Sequence, residues 1–209
     1  MTRTDRAGRP IRDYSLRKGQ PPGNKGKRYP PSPPSRPEIL RALARLGETP
    51  QDLRLAALIV LLWRGGLTIG EALDVRPIDL KLFDADGWLR VRRGRFSRVV
   101  TLDELAVEWL DLWVAQRAKL PAGALLCVLR GPTAGQAWSG AGARTELARL
   151  GVQADVAQLR PKELRHAWVA ERLADGATPA EVREELAADR WVNLRAYRHG
   201  LQASEQEDE

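Results

Sequence analysis

The chain has 209 residues, 43% of them apolar, enough for one domain with a substantial core. No apolar run is long enough to span a bilayer, and no apolar stretch follows the basic N-terminus as in a secretory leader, so a cytoplasmic protein is the simplest expectation. A single cysteine, Cys127, excludes an internal disulfide framework and, with only two histidines, argues against a structural zinc site; no metal or other cofactor is expected.

The net charge of +7 is unevenly placed. Residues 1–30 hold nine Lys/Arg against two Asp, while the last five residues carry four acidic groups. A basic segment of this kind either pairs with a polyanion, most commonly nucleic acid, or simply keeps a chain soluble.

Residues 1–36 are rich in Gly, Pro, Arg and Lys and close on a proline-rich run, Tyr29 to Pro37. Such a segment cannot bury a core, so it is expected to be disordered or extended. Ser35, with Glu38 three positions on and Pro37 near the first turn, reads as a helix start running through Ile39, Leu40, Leu43 and Leu46 to Gly47. Gln51 to Trp63 is apolar nearly all round and predicts a central buried helix. Gly65 and Gly66 interrupt it, and Ile69 to Val75 continues as a short helix.

From Ile78 the pattern changes to alternation. Leu80 and Leu82 lead to a turn at Asp84 to Gly87, then to the strand Trp88 to Arg92, a second turn at Arg93 to Arg95, and the strand Arg98 to Leu102. Helices are predicted at Asp103 to Lys119, Gly140 to Leu150, Pro161 to Asp175, Pro179 to Leu186 and Arg190 to Leu201. The tryptophans mostly sit at core spacings, and Trp109 and Trp113 read as packing residues at i, i+4. The class is mainly α with a small three-stranded antiparallel β-sheet.

Three blocks carry chemistry. The first is Gly66-Leu67-Thr68-Ile69-Gly70-Glu71-Ala72-Leu73; the second is the hairpin with Arg90, Arg92, Arg93, Arg95 and Arg98, which has no acidic residue between Asp86 and Asp103. The third is the C-terminal pair of segments Arg160-Pro161-Lys162-Glu163-Leu164-Arg165-His166 and Arg195-Ala196-Tyr197-Arg198-His199. Basic side chains on a strand and turn suit a phosphate backbone. They also suit an edge strand blunted against aggregation.

In order and spacing, from about Pro37 to His199, these blocks resemble the catalytic domain of tyrosine recombinases, the phage-integrase family. The resemblance implies a tyrosine-recombinase-like domain over residues 37–203, preceded by the basic tail of residues 1–36 and followed by an acidic tail at 204–209. In that family a tyrosine attacks a DNA phosphate to form a covalent phosphotyrosine link. Two arginines, a histidine and a further histidine or tryptophan hold the phosphate oxygens, and a hairpin lysine protonates the leaving oxygen. Fixed donors are needed because negative charge builds on the phosphate as the nucleophile arrives.

The family's nucleophile position falls on Tyr197 and its second arginine on Arg165, and both are retained. Without the surrounding blocks Tyr197 would read as an amphipathic surface residue, and Arg165 as a helix-surface ion pair with Glu163 or Glu171. The first arginine is replaced by Thr68, the histidine before Arg165 by Lys162, the hairpin lysine by Arg93 and the later histidine by Ala188. Thr68 cannot balance the transition-state charge, and loss of one such donor lowers rate by on the order of 100- to 1000-fold. Arginine at 93 keeps the charge but is a poor proton donor. Arg64, four residues before Thr68, is a candidate substitute for the missing arginine, and Trp191 for Ala188.

The leading expectation is therefore a protein that binds double-stranded DNA through Arg90, Arg92, Arg93, Arg95, Arg98, Lys162 and Arg165, with cleavage and strand transfer lost or strongly reduced. An active site-specific recombinase using Tyr197, or a protein-interaction module on the same fold, are the alternatives. A homo-oligomer or a second recombinase on the DNA is the expected protein partner.

Overall fold

The computed structural model describes residues 33–186 apart from 94 and 95. The expectations for residues 1–32, for the helix at 190–201, for the acidic tail at 204–209 and for Arg95, Ala188, Trp191, Tyr197 and His199 lie outside those residues.

Seven helices and three strands follow in the order α1 (Arg36–Leu43), α2 (Pro50–Trp63), α3 (Ile69–Asp74), β1 (Leu80–Leu82), β2 (Gly87–Arg93), β3 (Phe96–Leu102), α4 (Glu104–Arg117), α5 (Gly140–Ala154), α6 (Pro161–Ala174) and α7 (Pro179–Glu185) among the described residues. Helix starts follow the capping signals in the sequence: Glu38 accepts the Ser35 backbone N–H at 2.8 Å, and the Thr49, Asp103, Ser139 and Thr178 side chains cap α2, α4, α5 and α7. The first helix ends earlier than its apolar spacing suggests. After Leu43 the chain tightens, with Arg45 N–H bonded to Ala42 O and Leu46 N–H to Leu43 O. Leu46 reaches the core from this turn rather than from a helix.

Helix α2 lies at the centre. From Leu55 to Trp63 every side chain is buried, which is why its sequence is apolar on all faces. It packs against α4 and α6, while α1 packs on α5. Buried Arg54 ties α2 to the loop before α5 and to α5 itself: it donates to Cys127 O at 2.9 Å and to Glu146 at 2.8 Å, and lies 3.7 Å from the Trp138 ring centroid. A smaller apolar cluster of Trp168, Val169, Val182 and Leu186 joins α6 to α7. No described helix is long and apolar enough to cross a membrane.

The sheet is antiparallel in the order β1-β2-β3. Its register decides where the hairpin arginines go, because side chains alternate between the two faces. Leu89 and Val91 face the core, which sends Arg90 and Arg92 outward. Arg98 is the register partner of Val91 and so lies on the core side, whereas Val99, opposite Arg90, is exposed.

Candidate nucleic-acid interface

The break after α2 sets the first wall of the site. Gly66 has φ +61°, the left-handed region, and a Cβ there would stand 2.8 Å from the Trp168 ring of α6. The chain can therefore turn tightly beneath α6 and deliver Thr68 as the N-cap of α3. The Thr68 hydroxyl accepts from Glu71 N–H at 3.3 Å and donates to Glu71 Oε2 at 2.9 Å, and that same oxygen accepts the Thr68 N–H at 2.8 Å. The residue standing at the family's arginine position thus serves as a helix cap.

Glu71 is buried and holds more than the cap. Arg98 of β3 forms an ion pair with its carboxylate, and Arg165 Nη1 of α6 reaches Oε2 at 3.2 Å. Burial opposes its ionisation, but the hydrogen bonds from Arg98 and Thr68 outweigh burial and lower its pKa from 4.5 to about 2. Three elements far apart in sequence, α3, β3 and α6, converge on one carboxylate.

Next to this hub lies a cleft of about 670 Å³ between α3, α5, α6 and the end of α7. Thr68, Lys162 and Arg165, three of the family positions, all line it. So do Arg144 of α5, which no motif in the sequence singles out, and Arg160 at the N-cap of α6, which stands in the third block without an assigned role. Their signal was available only as basic residues at helix starts, where a carboxylate is the more favourable neighbour of the helix dipole. Ile69, Pro161 and Val169 add apolar surface, and among the described residues the lining includes no carboxylate. His166 also faces the cleft and contacts Glu163 through Nδ1 at 3.1 Å. Burial and the adjacent Lys162 and Arg165 charges push its pKa down, against the opposing pull of Glu163.

Other sequence-predicted positions fall elsewhere. Arg98 points inward onto Glu71 and is not on the exposed hairpin face, a correction that follows from the register with Val91. Arg90 is exposed; Arg92 is half-exposed and bonded to the buried Asp79. Arg93 ends β2 opposite Phe96. Arg64 does not replace the missing arginine: it pairs with Asp103 and Glu171, over the Trp63 ring at 5.0 Å, and does not line the cleft. Among the described residues Arg165 forms its ion pair with Glu71, not with Glu163 or Glu171.

A mainly helical domain with a three-stranded antiparallel sheet is the architecture of tyrosine recombinase catalytic domains. The chain belongs to the phage integrase family, which matches residues 35–203. No protein of curated function matches it in sequence. Among solved structures, it is similar to the XerH site-specific recombinase bound to a palindromic difH substrate in a post-cleavage complex, with a TM-score of 0.73 and 18% identity over 98% of this chain and 60% of that one. The XerA recombinase gives a TM-score of 0.68 and 20% identity over 88% of this chain and 65% of that one. The Tn1549 transposon integrase in complex with circular intermediate DNA gives 0.62 and 14% over 82% of this chain and 62% of that one. At these identities the likeness is one of fold, and the chain spans about 60% of the length of the XerH recombinase.

Proposed function

We propose that the protein binds double-stranded DNA through this cleft and the outer face of the hairpin, in the cytoplasm, and that DNA cleavage and strand transfer are lost or strongly reduced. The observation that carries the binding half is the lining itself: Arg144, Arg160, Lys162 and Arg165 converge on one cleft whose lining, among the described residues, includes no acidic residue. Four cations in a partly apolar, partly enclosed site favour a phosphate backbone over a neutral partner. The reading also draws on the DNA-bound state of the XerH and Tn1549 structures that share this fold. Loss of cleavage rests on Thr68. Its hydroxyl is committed to Glu71, and the guanidinium that the family places there has no substitute from Arg64.

A nicked-duplex suicide substrate tests the second half. The expected result is salt-sensitive retention of the duplex without a covalent adduct. An adduct that disappears in Tyr197→Phe would show a working recombinase using Tyr197, and duplex binding absent at every salt concentration would leave the protein-interaction reading.

A further inference from the structure

Within that reading, we propose that a DNA backbone phosphate seats between α5 and the start of α6, on Arg144, Arg160 and Lys162, displaced from the Thr68 side of the cleft. The two sides of the cleft differ in what their cations are doing. On the Thr68 side, Arg98 and Arg165 both contact Glu71, so much of their field is already balanced by that carboxylate. On the α5–α6 side, Arg144, Arg160 and Lys162 have no ion-pair partner among the described residues. All three are exposed.

The backbone beneath them adds to the same field. Arg160 occupies the N-cap of α6, where a Ser, Thr or Asp oxygen would ordinarily accept the first helix N–H groups, and it makes no side-chain cap bond. Arg160 and Lys162 then place positive charge at the positive end of the helix dipole. Glu163, which could reach back to the cap as the glutamates at 38, 71 and 181 do in their helices, is turned toward His166. Arg144 lies over the first turn of α5, its Nη1 only 3.2 Å from where a Cβ at Gly140 would be. Repulsion among these cations is relieved when an anion arrives, and a phosphodiester, with several acceptor oxygens, suits a site with several donors. The seat holds the phosphate without asking anything of Thr68, and so gives binding that does not depend on the missing arginine.

The test is the salt dependence of binding to a fluorescently labelled duplex, measured by anisotropy on the full chain. Arg144→Ala and Arg160→Ala are each expected to weaken binding at low salt and to make the plot of log affinity against log salt shallower by about 0.9, the double variant by about twice that. Arg144→Lys with Arg160→Lys is expected to keep the slope, and Arg165→Ala to change it less than the double alanine variant. Both arginines are exposed, so thermal melts should match the parent. An unchanged slope in the double alanine variant, or a larger loss from Arg165→Ala, overturns the seat while DNA binding stands. A parent protein with no salt-dependent duplex binding overturns the underlying reading and the seat together.

Discussion

Arg98 of the hairpin closes on the buried carboxylate of Glu71, and Arg165, from a helix 67 positions further along by residue number, reaches the same group at 3.2 Å. One carboxylate thus fixes two arginines and, through its bonds to Thr68, the start of α3. Removing it takes from two half-buried guanidinium groups the carboxylate they share. Glu71→Ala is expected to destabilise the fold by about 3 kcal/mol, lowering Tm by about 6–12 °C. Glu71→Gln, which keeps hydrogen bonding but not charge, should fall between. A thermal melt in which Glu71→Ala matches the parent would mean that the hub adds nothing to stability.

The same carboxylate makes stability depend on pH in a defined window. Its folded pKa of about 2 lies below the ordinary 4.5, so the folded protein releases this proton more readily than the unfolded chain. The contribution is therefore fully present above about pH 4.5 and is lost as pH falls through about 2; the difference corresponds to on the order of 3 kcal/mol. Denaturant titrations across that window should show a slope that Glu71→Gln flattens. If the variant keeps the parent's slope, other carboxylates carry the acid sensitivity.

Arg64 binds Asp103, the N-cap of α4, and Glu171 of α6, and Glu171 also accepts the Trp63 indole N–H at 2.8 Å. This places Arg64 as a brace between α2, α4 and α6. Arg64→Ala should cost about 2 kcal/mol of stability and leave duplex affinity at a permissive temperature unchanged. Weakened DNA binding in a variant that melts like the parent would reverse that assignment.

The fold was legible in the sequence because its signals are local: the Ser35 and Glu38 helix start, a helix apolar all round, and a change of period at the hairpin. The family blocks then bring Thr68, Lys162 and Arg165 to one cleft, as their order and spacing imply. What could not be read was direction. Arg98 belongs to the hairpin's basic run, but the one-residue alternation of β3 turns it inward, and that depends on the register with Val91. Arg64 looked near enough to Thr68 to replace an arginine, yet the turn at Gly66 separates them and Asp103 and Glu171 hold it elsewhere. Arg160 opens the third block without an assigned role, and Arg144 carried no motif at all; only the packing of α5 beside α6 brings Arg144 to the same cleft as Lys162.

Thr68→Arg puts the family's guanidinium back and separates two effects. The threonine caps α3, so its loss should cost about 1 kcal/mol. Thr68→Ala carries that cost alone and should leave DNA binding as it is, because the hydroxyl is already engaged with Glu71. The arginine variant carries the same cost but adds a cation at the cleft wall, beside Glu71. It should bind duplex more tightly than Thr68→Ala, with a salt slope steeper by about 0.9 for the added contact. Equal affinity and slope in the two variants would mean that Glu71 captures the new guanidinium as it does Arg98 and Arg165. In that case a second change that releases the guanidinium from Glu71 would be needed before it reaches a phosphate.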